Sequence, residues 1–150
     1  MSMQSWSEYG YGFPVYTGDN TPVIWDFIRS HKDTIPSYAA TIQRIEQEAE
    51  GLDEEELTNL LDESFDWRVG EVIAQIMQAQ TGLKLFEGFP ACSDCDTDDV
   101  VMYVPAYPWN IPEKDKNVTQ QQIHEICEWY CKKLEIPTTS IDFQNLEYFG

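Results

Sequence analysis

Four stretches between residues 20 and 82 carry apolar side chains at intervals of three and four, the spacing of one face of an α-helix. Each stretch is bounded by residues that start or stop helices, such as Pro22 in a first turn and Gly51 and Gly82 at C-terminal ends. We therefore predict helices over residues 22–30, 36–51, 53–64 and 66–81, the first capped by Asn20 or Thr21 and the last by Asp66. Four such helices have to bury their apolar faces against one another or against a sheet.

The hydrophobic period is typical of strands in the remaining segments. Residues 7–16 alternate aromatic side chains with glycine, residues 83–86 and 100–104 are apolar segments on either side of a polar turn, and residues 141–149 are also extended in pattern. Thr119 and Gln122 form a capping box, which predicts a fifth helix that ends near Leu134. This order predicts an α+β fold, in which about five helices pack on a small antiparallel sheet.

The length and apolar content of the chain suit one domain. Hydrophobic residues make up 42% of the 150 residues and aromatic residues 13%, enough for a buried core. No break in composition or internal repeat divides the sequence, so we predict a single domain. Residues 1–16 do not form a basic and apolar leader, and no segment is apolar over the length of a bilayer, which predicts a cytoplasmic protein.

The net charge limits the possible partners. Twenty-seven acidic residues against nine Lys and Arg give a formal charge of −18, which repels nucleic acid phosphates and anionic lipids. We therefore expect neither direct nucleic acid binding nor membrane binding. The favoured partner is a basic protein surface, because long-range attraction speeds encounter with a cationic molecule. Solubility is the simpler explanation of the same charge.

The four cysteines of the sequence have the sulfur ligands that a structural metal site needs. Cys92 and Cys95 have the C-x-x-C spacing, and Cys127 and Cys131 lie one turn apart on the predicted fifth helix, one turn after His124. Together the four thiols could hold one structural zinc ion in a tetrahedral site. The alternative is that Cys127 is a core residue, since it falls on the apolar stripe of its helix.

Other chemistry finds little support in the sequence. The aspartates of residues 94–99 would raise a thiol pKa in the C-x-x-C segment, which argues against a redox role. The same run resembles the start of a calcium loop, but Asp99 replaces the turn glycine and Pro105 replaces the bidentate glutamate. No catalytic or phosphate-binding motif is present. We therefore expect that the chain is not an enzyme. The remaining alternative is a small enzyme with a catalytic site built on His124 or on residues 94–99.

The most distinctive feature is an acidic segment from Glu46 to Asp66, which lies between Arg44 and Arg68 and contains no basic residue. Carboxylates three or four residues apart on a helix are about 5–6 Å from one another, a spacing on the scale of a phosphate backbone. A folded acidic ridge of this kind can occupy the basic groove of a nucleic-acid-processing enzyme. The expected contact residues are Glu54, Glu55, Glu56, Asp62 and Glu63. A solvated helix face is the ordinary alternative.

A second candidate contact is aromatic. Tyr107 and Trp109 flank Pro108 in a proline-rich connection, which makes this loop a plausible binding tip. Half-buried positions at the edge of the sheet are the alternative for the aromatic residues as a group.

Three short segments carry a family resemblance: Tyr9-Gly10-Tyr11-Gly12-Phe13-Pro14, Tyr107-Pro108-Trp109 and Glu147-Tyr148-Phe149-Gly150. They resemble small acidic, mostly uncharacterised proteins of phages and mobile elements of gut-dwelling low-GC bacteria. This resemblance implies an anti-defence role, such as inhibition of restriction or CRISPR enzymes, and it implies no catalytic residues. We therefore expect a non-enzymatic inhibitor that mimics nucleic acid. The alternative is a zinc-stabilised structural or regulatory interaction module.

Overall fold

Five α-helices account for most of the part of the chain that the structure describes. The computed structural model describes residues 5–15, 20–66, 68–83, 86–88, 99–103 and 119–149. In chain order the helices are α1 (Thr21–Ser30), α2 (Ala39–Glu48), α3 (Glu54–Ser64), α4 (Val69–Thr81) and α5 (Gln120–Leu134). Short 3-10 turns at Lys32–Thr34, Pro36–Tyr38 and Thr138–Ser140 lie between the longer elements.

The helix ends follow the local chemistry of the sequence. At α3, the Asp53 carboxylate accepts a hydrogen bond of 2.8 Å from the backbone N–H of Glu56. At α5, the predicted capping box is confirmed: Thr119 Oγ1 accepts from the N–H of Gln122 and Gln122 Oε1 accepts from the N–H of Thr119. Gly82 ends α4 with a φ of 76°, the left-handed conformation that glycine adopts without strain.

Two predicted helix starts are wrong by two or three residues. Residues Pro36–Tyr38 form a 3-10 turn, so α2 begins at Ala39. Asp66 does not cap α4, because it has a left-handed backbone with a φ of 52° and Arg68 takes the cap position. A start called from side-chain pattern alone misses these backbone turns, which follow from how the chain leaves the preceding helix.

The prediction of an α+β fold with helices packed on a small antiparallel sheet is wrong for the body of the protein, which is mostly helical. Among the residues whose side chains the structure describes, 74% are helical and 7% lie in a strand. The physical reason is that the helices largely bury one another: α1 packs against α3, α4 and α5, and α2 packs against α3. Of the described helices, only α4 and α5 make extensive contacts with strands.

Backbone pairing connects four extended segments beside α4 and α5. These are β1 (Ser5–Val15), β2 (Phe86–Gly88), β3 (Asp99–Tyr103) and β4 (Asp142–Phe149), which pair antiparallel in the order β2-β3-β1-β4. Tyr11 of β1 lies opposite Tyr103 on one side and Phe143 on the other. The inner end of β1 enters the core, where Phe13 is fully buried.

The core is formed mainly by the apolar stripes that the sequence predicted. Its largest fully buried side chains are Phe13, Ile24, Ile28, Ile42, Ile45, Leu61, Ile73, Ile76, Met77 and Leu134. Burial of an aliphatic side chain of this size contributes about 1.5–3 kcal/mol, so these contacts fix the relative positions of the helices. No helix among the described residues has the length and apolar character needed to cross a membrane.

Candidate binding surfaces

The first turn of α3 presents three consecutive carboxylates to solvent. Glu54, Glu55 and Glu56 are all exposed, and Glu63 is exposed at the other end of the helix. We call these four residues the acidic face. Along the helix axis they span about 14 Å, at about 1.5 Å per residue. Glu54, Glu55 and Glu56 lie within about 3 Å of one another along this axis and Glu63 lies about 10 Å farther on, so the face is a dense group of charges and not a regular row like the phosphates of one strand.

The buried side of α3 holds the acidic face on the protein. Leu61 is fully buried, and Leu57 and Leu60 pack against the core. Thr58 Oγ1 lies 2.6 Å from the buried Thr21 Oγ1 of α1. Thr58 donates its only hydroxyl hydrogen to the carbonyl oxygen of Glu54 at 2.8 Å, so Thr21 is the donor between the two threonines. The polar contact therefore ties the first turn of α3 to α1.

The acidic face lacks local counterions within the part of the chain that the structure describes. Ion pairs there join Asp26, Glu46, Glu71 and Glu128 to basic side chains, and none involves the four residues of the face. A carboxylate without a neighbouring cation keeps its full charge available to a partner. The face therefore has the electrostatics needed to attract a basic surface.

Asp62, one of the five predicted contact residues, occupies a different position from the other four. Its exposed fraction is 9%, and it follows the fully buried Leu61 on the inner side of α3. A carboxylate this buried offers little surface to a partner, so the proposal below rests on Glu54, Glu55, Glu56 and Glu63, and the contact of Asp62 stays a prediction. The sequence pattern does not reveal this burial, because Asp62 stands next to the exposed Glu63 and aspartate is mostly found at the surface.

Two of the four predicted zinc ligands, Cys127 and Cys131, lie among the described residues. Cys127 and Cys131 are buried, with exposed fractions of 3% and 0%, and burial raises the pKa of each thiol to about 12. Without a metal such thiols remain protonated at neutral pH, and a zinc ion would have to displace both protons to bind them as thiolates. Cys92 and Cys95 lie outside the described residues, and no group of three metal-binding side chains occurs among those described. The zinc module stays a prediction, tested by metal analysis of protein purified without chelator.

His124 takes part in a chain of polar contacts on α5. Tyr11 Oη lies 2.7 Å from His124 Nδ1, and His124 Nε2 lies 3.6 Å from a carboxylate oxygen of Glu128. Lys132 Nζ donates to the other oxygen of Glu128 at 2.9 Å, which with its charge lowers the pKa of that carboxyl. Desolvation is the main cause that raises the pKa of Tyr11. This arrangement orients the imidazole between β1 and α5.

The structure also contains a groove that the sequence analysis missed, between α1 and α5. Its volume is about 410 Å³, and it is lined by Val23, Asp26, Phe27, Ser30, His31, Trp129 and Lys133. The two helices run antiparallel, because Asn20 at the start of α1 donates to the carbonyl of Leu134 at the end of α5. The contact of the Phe27 and Tyr130 rings, 6.1 Å apart, lies farther along both helices.

Trp129 is a large apolar side chain that is exposed to solvent at this groove. Its exposed fraction is 51%, and it is the one exposed large hydrophobic side chain among those described. The sequence carried a signal for it, since Trp129 lies beside and not on the buried stripe of Ile123, Cys127, Tyr130 and Leu134. The other predicted aromatic contacts, Tyr107 and Trp109, fall outside the described residues.

Comparisons with protein-family models, with curated proteins and with solved structures find no match to this chain.

Proposed function

We propose that this chain is a non-enzymatic binding protein that docks its acidic face on a basic surface of another protein. The observation that supports the proposal is the set of exposed carboxylates of Glu54, Glu55, Glu56 and Glu63, which lack counterions among the described residues. A basic surface would gain from these charges on encounter and on contact, since it would not have to displace a resident cation.

The narrower form of the proposal is that the basic surface is the nucleic-acid-binding groove of an enzyme, which the acidic face occupies and blocks. The density of exposed negative charge on α3 supports this form, because a groove that binds nucleic acid phosphates is itself basic. The family resemblance supports the same class of target, enzymes of restriction or CRISPR systems.

The carboxylates also have a role within the helix. Acidic residues in a first turn interact favourably with the helix dipole, typically by about 0.3–1 kcal/mol each at an exposed position. A test of the proposal must therefore separate lost binding from lost helix stability. It must also separate the position of the charges from their number.

The experiment is affinity capture from a lysate of the native host with three baits: the wild-type chain, a Glu54→Gln, Glu55→Gln, Glu56→Gln variant, and a control variant. The control carries Asp33→Asn, Glu125→Gln and Glu135→Gln, which removes three exposed charges elsewhere. Circular dichroism checks that all three baits are folded.

We expect the wild type and the control to capture the same basic protein at low salt, to lose it at high salt, and to lose it on addition of a competing oligonucleotide. The triple α3 variant should retain little of it. Equal capture by all three baits would contradict the proposal, and capture that no oligonucleotide displaces would contradict its narrower form.

A further inference from the structure

We propose that the groove between α1 and α5 receives an arginine side chain of the basic partner, whose guanidinium stacks on Trp129 and donates hydrogen bonds to Asp26 and His31. This inference rests on the proposed function, because it assumes that the partner is basic. It adds a second contact surface with a chemistry different from that of the acidic face.

The tautomer of His31 follows from its contact with the backbone. Its Nδ1 lies 2.7 Å from the carbonyl oxygen of Phe27, and a carbonyl oxygen only accepts. Nδ1 therefore carries the hydrogen, and in the neutral ring Nε2 holds a lone pair. No hydrogen bond to Nε2 occurs among the described residues. The packing of the imidazole on the Phe27 ring, 4.5 Å between centroids, fixes its position at the groove.

Two of the protein's own cations already occupy the features that an arginine would use. Arg29 Nη2 lies 2.7 Å from the Asp26 carboxylate, and Lys133 Nζ lies 5.3 Å from the centroid of the Trp129 ring. The Asp26 and Arg29 side chains are 66% and 52% exposed, and an exposed pair of this kind is worth little. A guanidinium from a partner can therefore replace these contacts at small cost.

The combination of groups selects arginine over other occupants. A guanidinium is planar, stacks on an aromatic face and presents several N–H donors at once, whereas the ammonium of lysine is a single, strongly hydrated charge. Asp26 and His31 Nε2 supply two acceptors, and the half-exposed Trp129 supplies the aromatic face. A second copy of this chain is a poor occupant, since two molecules of charge −18 repel each other.

The test uses two peptides of equal charge, penta-arginine and penta-lysine, titrated into the full chain. Calorimetry gives the dissociation constants, and the indole N–H signals of ¹⁵N-labelled protein show whether the signal of Trp129 moves, with Trp129→Phe used to assign it. The variants are Trp129→Ala, which removes the aromatic face, and His31→Phe, which retains a ring on Phe27 and removes the acceptor. The triple glutamine variant of α3 is the third.

We expect the wild type to bind penta-arginine more tightly than penta-lysine. Trp129→Ala should weaken the binding of penta-arginine about fivefold or more and leave the binding of penta-lysine nearly unchanged. A change of this size is typical of a cation–π contact. His31→Phe should reduce the preference for arginine in part. Trp129 lies on the surface, so its replacement should leave the helical circular dichroism signal intact.

The failures of the two proposals are distinguishable. If the peptides bind equally and Trp129→Ala changes neither, the groove inference is overturned, and a loss of both peptides in the α3 variant would still support the acidic face. If Trp129→Ala removes the arginine preference while the α3 variant binds both peptides as the wild type does, the groove stands and the acidic face is overturned.

Discussion

Raising the pH from 8 to about 10.5 should destabilise this protein through its two buried thiols, Cys127 and Cys131. Burial raises the pKa of each from the ordinary value of 9.0 to about 12. In the unfolded chain the thiols ionise as the pH passes 9, whereas in the folded chain they keep their protons until about pH 12. The stabilisation is therefore complete below pH 9 and is lost as the pH rises toward 12.

The size of the effect follows from the distance above the ordinary pKa. Each pH unit between the two pKa values costs about 1.4 kcal/mol per thiol, so at about pH 10.5 each thiol contributes a loss of about 2 kcal/mol. Urea denaturation at the two pH values measures the free energy of unfolding, and a double variant, Cys127→Ala with Cys131→Ala, provides the reference. Other groups titrate in both proteins, so the difference between them isolates the thiols.

We expect the wild type to lose about 4 kcal/mol more than the double variant over this pH range. The double variant should be less stable at pH 8, because it loses two packed side chains from the core. If the two proteins lost the same free energy of unfolding between pH 8 and 10.5, the thiols would not be held in the core as protonated groups, and the reasoning would be refuted.

Three further substitutions test contacts that fix the helices, each by urea denaturation at neutral pH. Thr21→Val removes the donor to Thr58 Oγ1 at nearly constant volume and should lower the free energy of unfolding by about 1 kcal/mol. Thr21→Ser keeps the hydroxyl and should retain the hydrogen bond to Thr58. Thr119→Ala should lower the free energy of unfolding by about 1 kcal/mol through loss of the α5 cap, whereas Thr119→Ser keeps the capping hydroxyl and should lose little. Equal stabilities of the alanine and serine variants would contradict the cap. Tyr130→Phe removes a 2.5 Å hydrogen bond to Gln80 from a buried ring and should also cost about 1 kcal/mol, with no change expected if that bond is not formed in solution.

Helix positions could be predicted from the sequence because their signals are local. The cap of α5 depends on Thr119 and Gln122, three residues apart, and the stop of α4 depends on the single residue Gly82. The class of the fold is not local in this sense. Whether helices cover a sheet or one another depends on which apolar faces meet, as α1 does with α3, α4 and α5. Periodicity marks a face as apolar and does not identify its partner.

The candidate surfaces also divide into features that follow from local sequence and features that depend on packing. The exposed carboxylates of α3 were predictable because glutamate is rarely buried unless it is paired. The burial of Asp62 was not, because it depends on how α3 packs against its neighbours. The groove was hidden for a similar reason. Asp26, His31 and Trp129 are separated by up to about a hundred residues in sequence and come together only through the antiparallel packing of α1 and α5.

The placement of the basic side chains explains why two surfaces would serve one partner. Around the groove, Asp26 and Trp129 each have a cation nearby, Arg29 and Lys133, so the groove is close to neutral and exerts little long-range force. The acidic face has no such cations among the described residues and therefore attracts a basic surface from a distance. Long-range charge raises the rate of encounter, whereas stacking and directional hydrogen bonds slow dissociation of the correct partner. The acidic face would therefore govern the salt dependence of association, and the groove would govern which basic protein stays bound.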